Sequence, residues 1–149
     1  MARQVCKWVL PNGTSTNNVE QFDTQRLQTT RMTYVITKYG DRELQGVTEI
    51  AGHWLAEFFA LKDVKKVVID IDPDLDCWGE CGERDSTEDA TYEISVNPKQ
   101  CLRDFIATIV HEFVHIKQWE TGEWDGDGEA EANYLQYSVA DRMWKEGVF

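Results

Sequence analysis

Apolar positions recur along this chain with two periods, and the alternation between them predicts the elements. Leu44, Val47, Ile50, Ala51, Trp54, Leu55, Phe58 and Phe59 follow the three-and-four spacing of an amphipathic helix over Leu44–Leu61. Leu102, Phe105, Ile106, Ile109, Phe113 and Ile116 form the core stripe of a second helix that runs to about Glu120. Ala132, Leu135, Val139 and Met143 share one face of a third, predicted over Glu129–Lys145. The strand signals are shorter. Val5–Leu10 ends at the turn Pro11-Asn12-Gly13, Met32–Lys38 stops at Gly40-Asp41, and Val64–Ile71 is closed by Asp72-Pro73. Thr91–Val96 alternates, with Tyr92, Ile94 and Val96 on one face, which predicts a half-buried strand at a sheet edge.

The connections carry their own signals. Residues 72–90 read as an acidic loop, and residues 121–128 (TGEWDGDG) as a glycine-punctuated one. Asn97-Pro98-Lys99-Gln100 has the composition of a helix start, with Asn97 as the cap and Pro98 at the first position. The order of elements is α+β: a small mixed or antiparallel sheet, an edge strand beside the second helix, and a following glutamate-bearing helix. Residues 1–149 are expected to form a single domain, with the first thirty or so residues a poorly defined extension.

Charge narrows the function classes. Twenty-seven acidic residues against fifteen basic ones give a net charge of −12. That argues against nucleic-acid binding through a basic patch and against docking on an anionic membrane. No apolar run is long enough to cross a bilayer, and the N-terminus has no sustained apolar stretch of the kind a signal peptide needs, so a cytoplasmic protein is expected. The four cysteines are too scattered for a disulfide framework. Cys77 and Cys81 make at most half of a structural zinc site, Cys6 reads as a half-buried thiol, and Cys101 as a core residue.

The segment His111-Glu112-Phe113-Val114-His115 carries the chemistry. On a helix, residues four apart stand one above the other, so both imidazoles can reach one metal ion. Zinc accepts neutral imidazole nitrogens. Glu112 is displaced by about 100° around the helix from His111, beside the pair, where it can serve as a general base. A catalytic zinc takes three protein ligands and keeps one position open. The positions three and six beyond His115 hold Gln118 and Thr121, and the remaining histidine, His53, falls on the first helix. The third ligand must then be a carboxylate. The last helix opens Glu129-Ala130-Glu131-Ala132-Asn133, and both glutamates are candidates.

From about Tyr92 to Ala140 the chain resembles the gluzincin metallopeptidases, particularly their minimal single-domain members and the small peptidase-like domains of some phages. The likeness rests on the strand, the HExxH helix, the short loop, and the helix that begins Glu-x-Glu-Ala. It implies a zincin-like fold and a bound Zn2+. It also implies Glu129, favoured over Glu131, as the third ligand, with Asn133 hydrogen-bonded to a ligand histidine where many relatives have Asp. The implied reaction is hydrolysis of a peptide bond by a water activated at zinc, with Glu112 as the base. Tyr134 and Tyr137 are candidates for an oxyanion donor but fit packing roles better. An extended peptide adding to the Thr91–Val96 edge is the expected binding mode.

Two further patterns bear on partners. Asp72, Asp74, Asp76 and Glu83 have part of the spacing of a calcium loop but lack its glycine, so a solvated acidic loop is the better reading. Asp70–Glu93 holds ten acids and one base, and Glu120–Glu131 six acids and no base. Together these segments hold more than the whole net negative charge and flank the HExxH helix, which points to a cationic peptide or unfolded protein as substrate. The competing function is a zinc-containing module that holds a peptide or partner with little or no turnover.

Overall fold

Val67, Val68, Ile69 and Ile71 are all buried, so their strand is covered on both faces and must lie inside a sheet. In the computed structural model, which describes residues 3–5, 33–82 and 90–149, that strand is β3 (Lys66–Ile71). It is parallel to β2 (Tyr34–Lys38) on one side and to β5 (Thr91–Val96) on the other. A short strand β4 (Gly79–Gly82) pairs antiparallel with β5, and β1 (Arg3–Val5) pairs antiparallel with β4. The sheet is therefore mixed, in the order β1-β4-β5-β3-β2. With three helices among the described residues, the fold is α+β.

Helix α1 (Arg42–Phe58) connects β2 to β3. Its N-cap is Asp41, whose carboxylate accepts the Leu44 amide at 2.8 Å. Gly52 lets it lie close on the sheet, because a Cβ there would come within 2.6 Å of Val35 Cγ1. Helix α2 (Leu102–Thr121) is buried without interruption from Phe105 to Ile116. It packs against β4 and β5, α1, and α3 (Glu129–Lys145). A helix apolar on nearly all sides is stable only in such a position. It ends at Gly122, whose φ of 70° is the left-handed conformation of a helix C-cap.

Several expectations are corrected. The Thr91–Val96 strand alternates as expected, but it is not an edge: β3 flanks it on one side and β4 on the other. The strand that covers it comes from the segment read as an acidic loop. Gly79-Glu80-Cys81-Gly82 has no strand pattern, and main-chain pairing to Glu93–Val96 makes it one. Addition of a peptide to β5 is thereby excluded. Asn97 does not cap a helix. Its Oδ1 accepts the Lys99 amide in a local turn and its Nδ2 donates to the Leu75 carbonyl, so α2 starts only at Leu102. Cys101, at the N-cap of α2, is exposed rather than core, and Leu102 is exposed too. The turn Pro11-Asn12-Gly13, Cys6, Glu83 and most of the predicted Val5–Leu10 strand lie outside the described residues. No helix among the described residues is long and apolar enough to cross a membrane.

Candidate metal centre

Both histidines of the motif are completely buried, on the part of α2 that faces α3. Their ring centroids are 5.0 Å apart, one helical turn along the same face. The glycine-punctuated loop 122–128 then turns the chain back so that α3 begins against them. Gly128, at φ 81°, is the N-cap of α3, and the Asp127 carboxylate accepts the Glu129 amide at 3.0 Å. Glu129 is the first residue of the helix, and its carboxylate reaches back to both imidazoles. Its Oε2 lies 2.7 Å from His111 Nε2 and 3.6 Å from His115 Nε2.

Among the described residues, His111, His115 and Glu129 form the group of donors able to share one ion, with ligand atoms all within 4.8 Å of one another. Glu131 is not part of it. It pairs with Lys117 at 2.9 Å and accepts from Gln118 at 3.1 Å. Glu112 is fully buried on α2 beside the pair.

The electrostatics of the cluster favour a positive charge at its centre. Burial alone would raise the Glu129 pKa, but the two imidazoles outweigh it and hold the carboxyl at about 2. Burial alone would lower the His115 pKa, but Glu129, Glu112 and Gln118 outweigh it and hold that ring above the usual histidine value. His115 Nε2 is buried and has no hydrogen-bond partner among the described residues. A bare imidazole nitrogen facing a carboxylate 3.6 Å away is what a metal would satisfy, and two nitrogens with one oxygen suit zinc.

The outer partners of the histidines differ from expectation. Gln136 Oε1 lies 2.6 Å from His111 Nδ1, and Gln118 Oε1 lies 2.9 Å from His115 Nδ1. Asn133, expected in this role, is buried on α3 but bonds to neither imidazole, and its Oδ1 has no partner among the described residues. The reason is rotational. On an ideal helix Asn133 is displaced by about 40° from Glu129 and Gln136 by only about 20°, so Gln136 faces the histidines more squarely. Trp119, one turn beyond His115, stacks on its ring at 5.9 Å and on Tyr92 of β5 at 6.0 Å. The Tyr92 hydroxyl donates to Glu120 at 2.6 Å, which anchors this stack to the sheet. The four-residue interval His111, His115, Trp119 was the available signal for it.

The other candidates lie elsewhere. Tyr137 donates to Asp104 at 2.7 Å beneath Arg103, a contact between α2 and α3, and Tyr134 is exposed. His53 Nδ1 meets the Glu49 carbonyl on α1. Cys77 and Cys81 form no metal cluster among the described residues. Burial, aided by Glu80, Asp76 and Glu112, pushes the Cys77 thiol up to about 11. Burial, with Glu112 and Glu80, pushes the Cys81 thiol up as well. Asp72 Oδ1 accepts the Asp74 amide in a tight turn, and no carboxylate of that segment joins a metal-binding group among the described residues.

No family model matches the chain, and neither a curated protein nor a solved structure does.

Proposed function

We propose that this chain is a zinc-dependent hydrolase of the gluzincin type that cleaves peptide bonds. The observation that supports this most is the convergence of His111, His115 and Glu129 on one point, with Glu112 buried on the same helix and close enough to His115 to raise its pKa. Two neutral imidazoles and one carboxylate would hold Zn2+ with a net positive charge. A bound zinc supplies Lewis acidity, lowering the pKa of a water toward about 7 and polarising a carbonyl. Glu112 accepts the proton of the attacking water and delivers it to the leaving amine. Its place on the same helix as both histidines fixes where its backbone stands relative to theirs. Glu129 would offset part of the charge of such an ion, and its contact with His111 joins α3 to α2 across the site.

The acidic segments that flank α2 in the sequence support a cationic substrate. Glu123, Asp125 and Asp127 are exposed in the loop that leads to Glu129. Asp76 and Glu80 lie near enough to Cys77 to raise its pKa together with Glu112. Incubation with unfolded proteins and with basic and acidic peptides of equal length tests both parts. Cleavage that a chelator stops and zinc restores is expected. Basic peptides should be cut faster, by a margin that shrinks as salt is added. Faster cleavage of acidic peptides at low salt would sink the charge preference, and cleavage indifferent to chelator would sink the zinc mechanism.

A further inference from the structure

We infer that Gln118 is a positioning residue that holds His115 with its Nε2 free for the metal and ties that ring to the start of the helix bearing Glu129. The inference rests on the metal reading above and deepens it. Gln118 is 1% exposed, three residues beyond His115 on α2. Its Nε2 lies 2.8 Å from the Gly128 carbonyl oxygen and 3.1 Å from Glu131 Oε1. A carbonyl oxygen can only accept, so the amide nitrogen must face it, and the orientation of the carboxamide is fixed. The amide oxygen is then the atom 2.9 Å from His115 Nδ1, and Nδ1 must donate. In the neutral ring the proton is on Nδ1, and the lone pair is on Nε2, the buried nitrogen without a partner.

The same carboxamide sets a second geometry. Gly128 is the residue before Glu129, so the Gln118 bond to its carbonyl fixes where α3 begins relative to His115. A Cβ on residue 128 would overlap the Gln118 carboxamide, so the contact requires glycine there for clearance as well as for the positive φ. One side chain thus sets both the tautomer of the second ligand and its spacing from the third. Among the described residues His111 has no equivalent tie: Gln136 meets its Nδ1, but the amide nitrogen of Gln136 meets no partner there.

Two variants separate positioning from packing. Gln118→Met fills the same space but can neither accept from His115 nor donate to Gly128. Gln118→Glu keeps an acceptor for Nδ1 and loses the donor. Ring-nitrogen NMR of the metal-free chain at alkaline pH reads the His115 tautomer, and competition against a chelator reads zinc affinity. The wild type and Gln118→Glu should show Nδ1–H at His115, whereas Gln118→Met should lose that preference. Zinc affinity should fall roughly 10–100-fold in Gln118→Met, with Gln118→Glu between it and the wild type. A folded Gln118→Met with the wild-type tautomer or wild-type zinc affinity would overturn the inference. Should that variant not fold, wild-type zinc affinity in Gln118→Glu would overturn the tie to α3. A wild-type chain that takes up no zinc would instead overturn the metal reading, and the tautomer of the metal-free chain would still decide whether Gln118 holds His115.

Discussion

Exchanging Glu112 for glutamine should leave zinc bound and reduce peptide hydrolysis by roughly 10²–10⁴-fold, the contribution expected of a general base. The two effects separate because Glu112 is not one of the three converging donors. Glutamine has the shape of glutamate and can hold a water by hydrogen bonds, but it cannot take that water's proton. The side chain is fully buried, and an uncharged amide is no harder to bury than a carboxylate, so the variant should fold. Initial rates on an unfolded protein, measured beside zinc content, provide the check. Full activity in Glu112→Gln would show that another group moves the proton.

Removal of Glu129 should have the opposite signature, loss of the metal itself. In Glu129→Ala the two imidazoles remain but the carboxylate that faces both is gone. Zinc affinity should fall by more than the 10–100-fold typical of losing a supporting residue, because a direct ligand is lost. Glu131→Ala is the matched control, two residues away on the same helix. It loses a partly exposed ion pair to Lys117 and one bond to Gln118, the former worth about 0–1 kcal/mol. It should keep its zinc far better than Glu129→Ala. If Glu131→Ala lost its zinc and Glu129→Ala kept it, the roles assigned to the two glutamates would be reversed.

Much of this site was legible in the sequence because helices write their geometry into spacing. The four-residue interval of His111 and His115 predicts that their rings meet on one helix face, as they do edge to face, and the glycine-rich loop before Glu129 marks the start of α3 where the structure has it. The buried alternation of Tyr92, Ile94 and Val96 was equally plain. What was not legible depends on contacts between segments. Gly79–Gly82 becomes a strand only because the backbone of β5 is there to pair with it, and that pairing turns an expected edge into an interior strand. Asn97 has the chemistry of a cap, and its side chain spends that chemistry on a local turn instead. The partners of the imidazoles depend on a rotation of a few tens of degrees between Asn133 and Gln136, finer than a residue count resolves. Gln118 appeared in the sequence only as a position where a third histidine was missing, and in the fold it joins three groups around the centre.

We propose above all that His111, His115 and Glu129 hold one zinc ion with a coordination position left open. A crystal structure of the zinc-loaded chain, with anomalous scattering recorded at the zinc edge, tests it most directly. A single strong peak is expected about 2.0–2.2 Å from an imidazole nitrogen of each histidine and from a Glu129 carboxylate oxygen, with no fourth protein ligand. A peak at another set of side chains, or one closed by a fourth protein ligand, would contradict it.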